Sequence, residues 1–133
     1  MAAKKIVEQF IGTLENFEQD QASALLDDDC IYRNVPFHTA VGRSTIERDL
    51  GLMMKGLDSF SVEMIAIAVN GSVVLTERLD KLRSRGFRLD LPVMWAFIVR
   101  NGKIQSWKDY FDWTSLLGGV AGGLPVKILR RWR

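Results

Sequence analysis

Residues 60–83 read FSVEMIAIAVNGSVVLTERLDKLR, and on this stretch the fold turns. Before Phe60, apolar residues recur at helical spacing. From Phe60 onward they crowd into runs rich in β-branched and aromatic residues, at 60–69, 73–83, 87–100 and 103–112, which is how strands read. Asn70-Gly71 and Asn101-Gly102 lie between runs, and both residue types accept positive φ cheaply, as a type I′ hairpin turn demands. Arg85-Gly86 supplies the third turn. Helices followed by an antiparallel meander predict an α+β fold, with helices covering one face of a strongly curved sheet.

Upstream, Ile6, Val7, Phe10, Ile11, Leu14 and Phe17 predict an amphipathic helix over 3–17. A shorter helix is predicted from Gln21 to Leu26, with Asp27-Asp28-Asp29 in the turn that follows, because acids oppose the dipole at a helix C-terminus. Cys30 to Asn34 reads as a short strand stopped before Pro36. Ser44-Thr45-Ile46-Glu47 has capping-box form, and the helix it opens is expected to bury Ile46, Leu50, Met53, Met54 and Leu57. Downstream, Gly118-Gly119, Gly122-Gly123 and Pro125 break a tail of mixed character over 116–133. No internal repeat or linker divides the chain, so 1–133 reads as one domain with a variable tail.

The chain has 133 residues, enough for one sizeable core. A net charge of +2, with Lys and Arg clustered only in the tail, argues against a nucleic-acid partner. One cysteine, Cys30, allows no intrachain disulfide and reads as a small buried apolar residue. With one histidine beside it, zinc ligation is not expected, and no metal or other cofactor is called for. His38 follows Pro36 and reads as a surface loop residue. Lys4-Lys5 opens an amphipathic run rather than a signal peptide, and no segment is apolar enough to span a bilayer, so a cytoplasmic protein is expected.

The chemistry lies in two strands. Arg78 and Asp80 point to one face of theirs, and Asp109 shares a face with Gln105, Trp107 and Phe111 in another. The plainer reading of Arg78 and Asp80 is a structural ion pair. Set in an apolar hollow, however, two acids around one arginine cannot both ionise cheaply, so one keeps a proton near neutral pH and the other acts as a base. A simple meander puts one strand between the two acids, a gap of about 9–10 Å that an arginine fork can bridge. Tyr32 and Asn34 share a face as well. A phenol and an amide beside a carboxylate can hold a water through directed hydrogen bonds. Base, held water and protonated acid are the equipment for hydrolytic opening of a strained ether.

Tyr32-Arg33-Asn34, Arg78-Leu79-Asp80 and Trp107-Lys108-Asp109-Tyr110-Phe111-Asp112, in that order, resemble the limonene epoxide hydrolase family from the first helix to about residue 116. The chain looks especially like the mycobacterial branch acting on bulky lipophilic epoxides. The resemblance implies a cone-like α+β fold, with a mixed, mostly antiparallel sheet, shared with ketosteroid isomerases, polyketide cyclases and nuclear transport factors. It implies that Asp109 is the general base for a water also held by Tyr32 and Asn34, that Asp80 is the general acid, and that Arg78 bridges the two. It further implies one-step hydrolysis to a vicinal diol without a cofactor, a homodimer, and a pocket lined by Met53, Leu57, Leu82, Leu91, Val93, Trp107 and Leu116. Two departures stand out. Leu79 replaces a threonine common in the family, and Pro92 inside a strand predicts a bulge or an unpaired amide. The alternatives are an isomerase or polyketide cyclase of the same fold, which needs no water-holding pair, and a non-catalytic protein that binds a lipophilic ligand.

Overall fold

A computed structural model describes residues 2–35 and 38–111. The expected tail, with Leu116, and Asp112 lie outside the described residues, as do the side chains of His38 and Phe111. The chain runs α1 (Ala3–Glu15), α2 (Gln19–Ala24), β1 (Leu26–Val35), β2 (His38–Val41), α3 (Arg43–Gly56), β3 (Ser59–Asn70), β4 (Val73–Ser84), β5 (Phe87–Arg100) and β6 (Lys103–Phe111). The strands form one six-stranded sheet in the order β2-β1-β6-β5-β4-β3. Its one parallel pair is β1 with β6, which makes the sheet mixed.

Several boundaries differ from the sequence reading for local reasons. α1 ends two residues early because Phe17 adopts φ 56°. The Glu18 and Phe17 amides donate to the Thr13 and Leu14 carbonyls, a Schellman closure with phenylalanine where glycine is usual. The acidic triplet belongs to β1 and not to a turn before it. Leu26 pairs with Ile104 and Ile31 with Ser106, so residues 27–30 bulge out of the ladder and Asp28 is left exposed. There Asp28 meets Arg43 at 2.8 Å. The capping box is not formed. α3 begins at Arg43 behind Gly42, whose φ of 92° favours glycine, and no side chain caps it. Glu47 instead accepts the Ser23 hydroxyl at 2.8 Å, which ties α3 to α2.

The three hairpins are where the sequence put them, with one turn shifted. Asn101 and Gly102 both have positive φ, as type I′ requires. The first turn is Gly71-Ser72, flanked by the Asn70–Val73 pair, and only its glycine has positive φ. Pro92 makes no bulge: β4 and β5 stay in register through Leu79–Pro92. The described part of β6 ends opposite Val93, so Pro92 sits where β5 has no described β6 partner to receive an amide. The irregularity lies elsewhere. Ile98 pairs with Ser106 and Val99 with Ile104, leaving Gln105 unpaired, so Ile104 and Trp107 both face the core and Gln105 falls out of the Trp107 alternation.

β4 had two ambiguous faces in sequence, and packing decides between them. Val74, Thr76, Arg78 and Asp80 are buried, whereas Leu75 and Glu77 are exposed on the outer face. Ile6, Val7, Phe10, Ile11 and Leu14 of α1 close the inner face together with Phe97, Val74 and Trp107. Cys30 is buried in the same core, where burial pushes its thiol up to about 12. Among the described residues no helix is long and apolar enough to cross a membrane.

Candidate active site

The inner face of the sheet does not fill with side chains all the way along. Between its β1–β6–β5–β4 end and α3 lies a cavity of about 330 Å³. Strand register explains which polar groups reach it. In the parallel β1–β6 ladder Tyr32 pairs with Trp107 and Asn34 with Asp109. Two same-face residues of β1 therefore stand beside two same-face residues of β6. Across β5, Trp95 pairs with Asp109 on one side and Thr76 on the other, while Leu91 pairs with Asp80. β5 thus separates the two acids, as the meander predicts.

Asp109 is held from both sides. Its Oδ2 accepts the Tyr32 hydroxyl at 2.6 Å and its Oδ1 accepts the Trp107 indole N–H at 2.7 Å. Burial nevertheless pushes its carboxyl up to about 7, against the pull of the Tyr32 bond, the Arg78 charge and the Trp107 bond. Asp80 accepts from Arg78 Nη2 at 2.8 Å through Oδ2 alone, and its buried Oδ1 has no hydrogen-bond partner among the described residues. Burial pushes Asp80 up to about 6, with the Arg78 charge and hydrogen bond opposing. Tyr32 is likewise raised, first by burial and then by the Asp109 charge.

Arg78 is fully buried, and its guanidinium carbon lies 3.3 Å from the centre of the Trp95 ring. The ring face accepts the cation where solvent cannot. Burial lowers the Arg78 pKa, while the Asp80 and Asp109 charges oppose that shift. Among the described residues Arg78 hydrogen-bonds Asp80 alone and acts on Asp109 through space, so the expected bridge is electrostatic on the Asp109 side. Its Nε and Nη1 have no hydrogen-bond partner among the described residues, and neither does the buried Oδ1 of Asn34. In a buried site such atoms are costly unless water or a ligand meets them.

Of the expected lining, Met53, Leu82, Leu91, Val93 and Trp107 border the cavity, with Tyr32, Asn34, Asp80 and Asp109. Arg78 lies behind that wall. Leu57 is not among the described lining: α3 ends at Gly56, and Leu57 follows in extended conformation at ψ 140°, half-buried against the core. Leu116 falls outside the described residues. Asp49, Ile46 and Leu50 were not foreseen as lining, although 46, 49, 50 and 53 lie on one helical face by spacing alone. Leu89 of β5, Phe60 of β3, Trp95 and Leu14 also line the cavity.

With this geometry in hand, likeness to known proteins takes on meaning. A model of the limonene-1,2-epoxide hydrolase catalytic domain matches residues 1–121. The epoxide hydrolase EphG of Mycobacterium tuberculosis is 37% identical over 124 residues, 92% of this chain and 82% of that protein. The solved structure of an M. tuberculosis LEH-like epoxide hydrolase superposes with a TM-score of 0.83 at 34% identity, covering 96% of both chains. A SnoaL-like protein from Shewanella denitrificans superposes equally well, with a TM-score of 0.83, at 13% identity over 90% of this chain and 96% of that one, which speaks to the fold alone. The family match spans the strands that carry Tyr32, Asn34, Arg78, Asp80 and Asp109, and the chain belongs to the limonene-1,2-epoxide hydrolase family.

Proposed function

We propose that this chain hydrolyses a lipophilic epoxide to a vicinal diol in one step, with Asp109 activating the water and Asp80 protonating the leaving oxygen. Family membership and the 37% identical mycobacterial relative support epoxide hydrolysis as the activity. The observation that carries the division of labour is the unequal treatment of two buried carboxyls. Both oxygens of Asp109 already accept donors, a setting that favours its charged form and leaves lone pairs for a water. The Asn34 Oδ1, without a hydrogen-bond partner among the described residues, lies beside it in the register and can take that water's second hydrogen. Asp80 keeps one oxygen with no hydrogen-bond partner among the described residues, at the cavity wall, where a proton can be offered to a substrate.

The step balances without further reagents. Asp109 removes one proton from water as the water oxygen bonds to an epoxide carbon. That carbon's bond to the epoxide oxygen breaks, and the oxygen takes the proton of Asp80. Arg78 stays charged throughout and steadies whichever acid is ionised. The proton then sits on Asp109 and returns to Asp80 before the next turnover. Leu82, Leu91, Val93, Met53 and Leu50 make most of the remaining wall apolar, Asp49 being the further charged group on it. Each methylene buried there contributes about 0.8 kcal/mol to binding, and being remote from the bond that breaks, it lowers KM more than it raises kcat.

The test is a single turnover of styrene oxide or a terpene epoxide in ¹⁸O-labelled water, followed by a series of alkyl epoxides. Label in the first-turnover diol is expected, together with a KM that falls as the chain lengthens. Unlabelled first-turnover diol would mean that a protein carboxylate attacked instead. A preference for small polar epoxides would reject the lipophilic pocket.

A further inference from the structure

Trp107 is expected to line the pocket, and it does so, but its N–H does something a lining residue need not do. It donates to Asp109 Oδ1 at 2.7 Å, from a side chain only 2% exposed. The indole cannot swing away. Phe10 meets it edge-on at 5.0 Å and 77°, Phe97 stacks at 6.2 Å and 9°, Trp95 lies at 5.0 Å, and Tyr32 at 4.2 Å. These rings come from α1, β5 and β1, so three elements clamp one donor.

The chemistry of that donor differs from that of Tyr32. A hydroxyl can donate to a carboxylate or accept from a carboxylic acid, so it tolerates either form of Asp109. An indole N–H only donates. A proton on Oδ1 would face another hydrogen, so the bond is strong for the carboxylate and weak for the acid. The two rings that grip Asp109 also lie against each other, 4.2 Å between centroids and tilted by 31°, so the plane of the carboxyl group is fixed between them.

We propose that Trp107 is a positioning residue for the water-activating Asp109: its clamped N–H fixes the plane of that carboxyl and biases the shared proton toward Asp80. This rests on the reading of Asp109 as base given above. Other charged or titratable groups bear on the pair. Tyr32 approaches from β1, Arg78 and Asp80 from β4, Asp49 of α3 acts on Tyr32, and Glu15 of α1 acts on Arg78 and Asp80. None of them replaces a donor-only group on Oδ1.

Two variants separate the bond from the packing. Trp107→Phe keeps an aromatic ring but loses volume. Replacing Trp107 with benzothienylalanine exchanges N–H for sulfur in a ring of nearly the same shape. Loss of a hydrogen bond to a charged group is expected to raise the acid limb of the kcat/KM profile by about one pH unit and to lower its maximum. KM for a neutral epoxide is expected to change little. The carboxyl ¹³C resonance of Asp109, which needs no turnover, is expected to titrate higher by the same amount. In the unmodified protein the Trp107 indole N–H resonance is expected to follow that titration and to lose it in Asp109→Asn. A carboxyl titration unmoved by the sulfur analogue would overturn the assignment. Titration that moves in a protein found to turn over no epoxide would leave the bond standing and reject the epoxide-hydrolase reading instead.

Discussion

Asp109 and Asp80 lie at the two ends of one cavity wall, 8% and 3% exposed, and they are treated in opposite ways. At the β6 end, two neutral donors from adjoining rings occupy both oxygens of Asp109. At the β4 end, a buried guanidinium takes one oxygen of Asp80 and leaves the other without a partner among the described residues. Burial raises both pKa values toward neutrality. Asp109 rises the further, to about 7 against about 6 for Asp80, so these shifts favour the resting proton on Asp109 and do not carry the assignment of roles. The partners give it: an acid whose oxygens are both occupied by donors is set up to take a proton, and one with a bare oxygen is set up to give one.

The sharpest way to break the comparison is to neutralise each acid in turn. Asp109→Asn and Asp80→Asn are each expected to lower diol formation by about 10²–10⁴-fold. Their stabilities should diverge. Asn at 109 can accept from Trp107 and donate to the Tyr32 oxygen, so little is lost. Asn at 80 weakens the 2.8 Å bond from the buried Arg78 and leaves Asp109, across β5, as its remaining counter-charge at the site, a loss of about 1.5–3 kcal/mol. Urea unfolding of both variants checks this, and equal stabilities would mean the two ends are not different in kind. Tyr32→Phe removes one donor to a charged group and is expected to cost roughly 10- to 100-fold in kcat. An unchanged kcat would leave Tyr32 a mere wall residue.

A smaller effect concerns the wild-type protein without substrate. Asp80 and Asp109 have folded-state pKa values of about 6 and about 7, above the ordinary carboxylate range. The folded state therefore binds more protons than the unfolded chain between about pH 4 and pH 7. The stability linked to these groups is fully present below their unfolded pKa and is lost as the pH rises through the folded values. The Tm should fall by a few degrees from pH 5 to pH 8. The slope should flatten in Asp109→Asn, and a Tm that rises over this range would contradict the burial of both acids.

Much of this arrangement was legible in the chain. The change of periodicity at Phe60 and the Asn101-Gly102 turn gave strand order, and hence β5 between the two acids. Residues two apart in a strand gave Arg78 with Asp80 and Tyr32 with Asn34. What the chain could not give was anything set by contact between distant segments. The inward face of β4 was ambiguous until α1 packed on it. The bulge at Gln105, which turns both Ile104 and Trp107 inward, leaves no local mark because no glycine is required there. Ser44 and Glu47 satisfied a local capping rule, yet Ser23 of another helix won Glu47. Asp49 interrupts an otherwise apolar stripe that lines the cavity, where a charge usually marks the solvent face.

The assignment of base and acid is tested most directly with a nucleophile that needs no base. Azide opens an epoxide without giving up a proton, but the departing oxygen still needs one. Asp109→Asn supplied with azide is expected to form the azido alcohol at a rate well above that at which it forms diol, while Asp80→Asn with azide stays inactive. Azido alcohol from Asp80→Asn and none from Asp109→Asn would contradict the account and exchange the two roles.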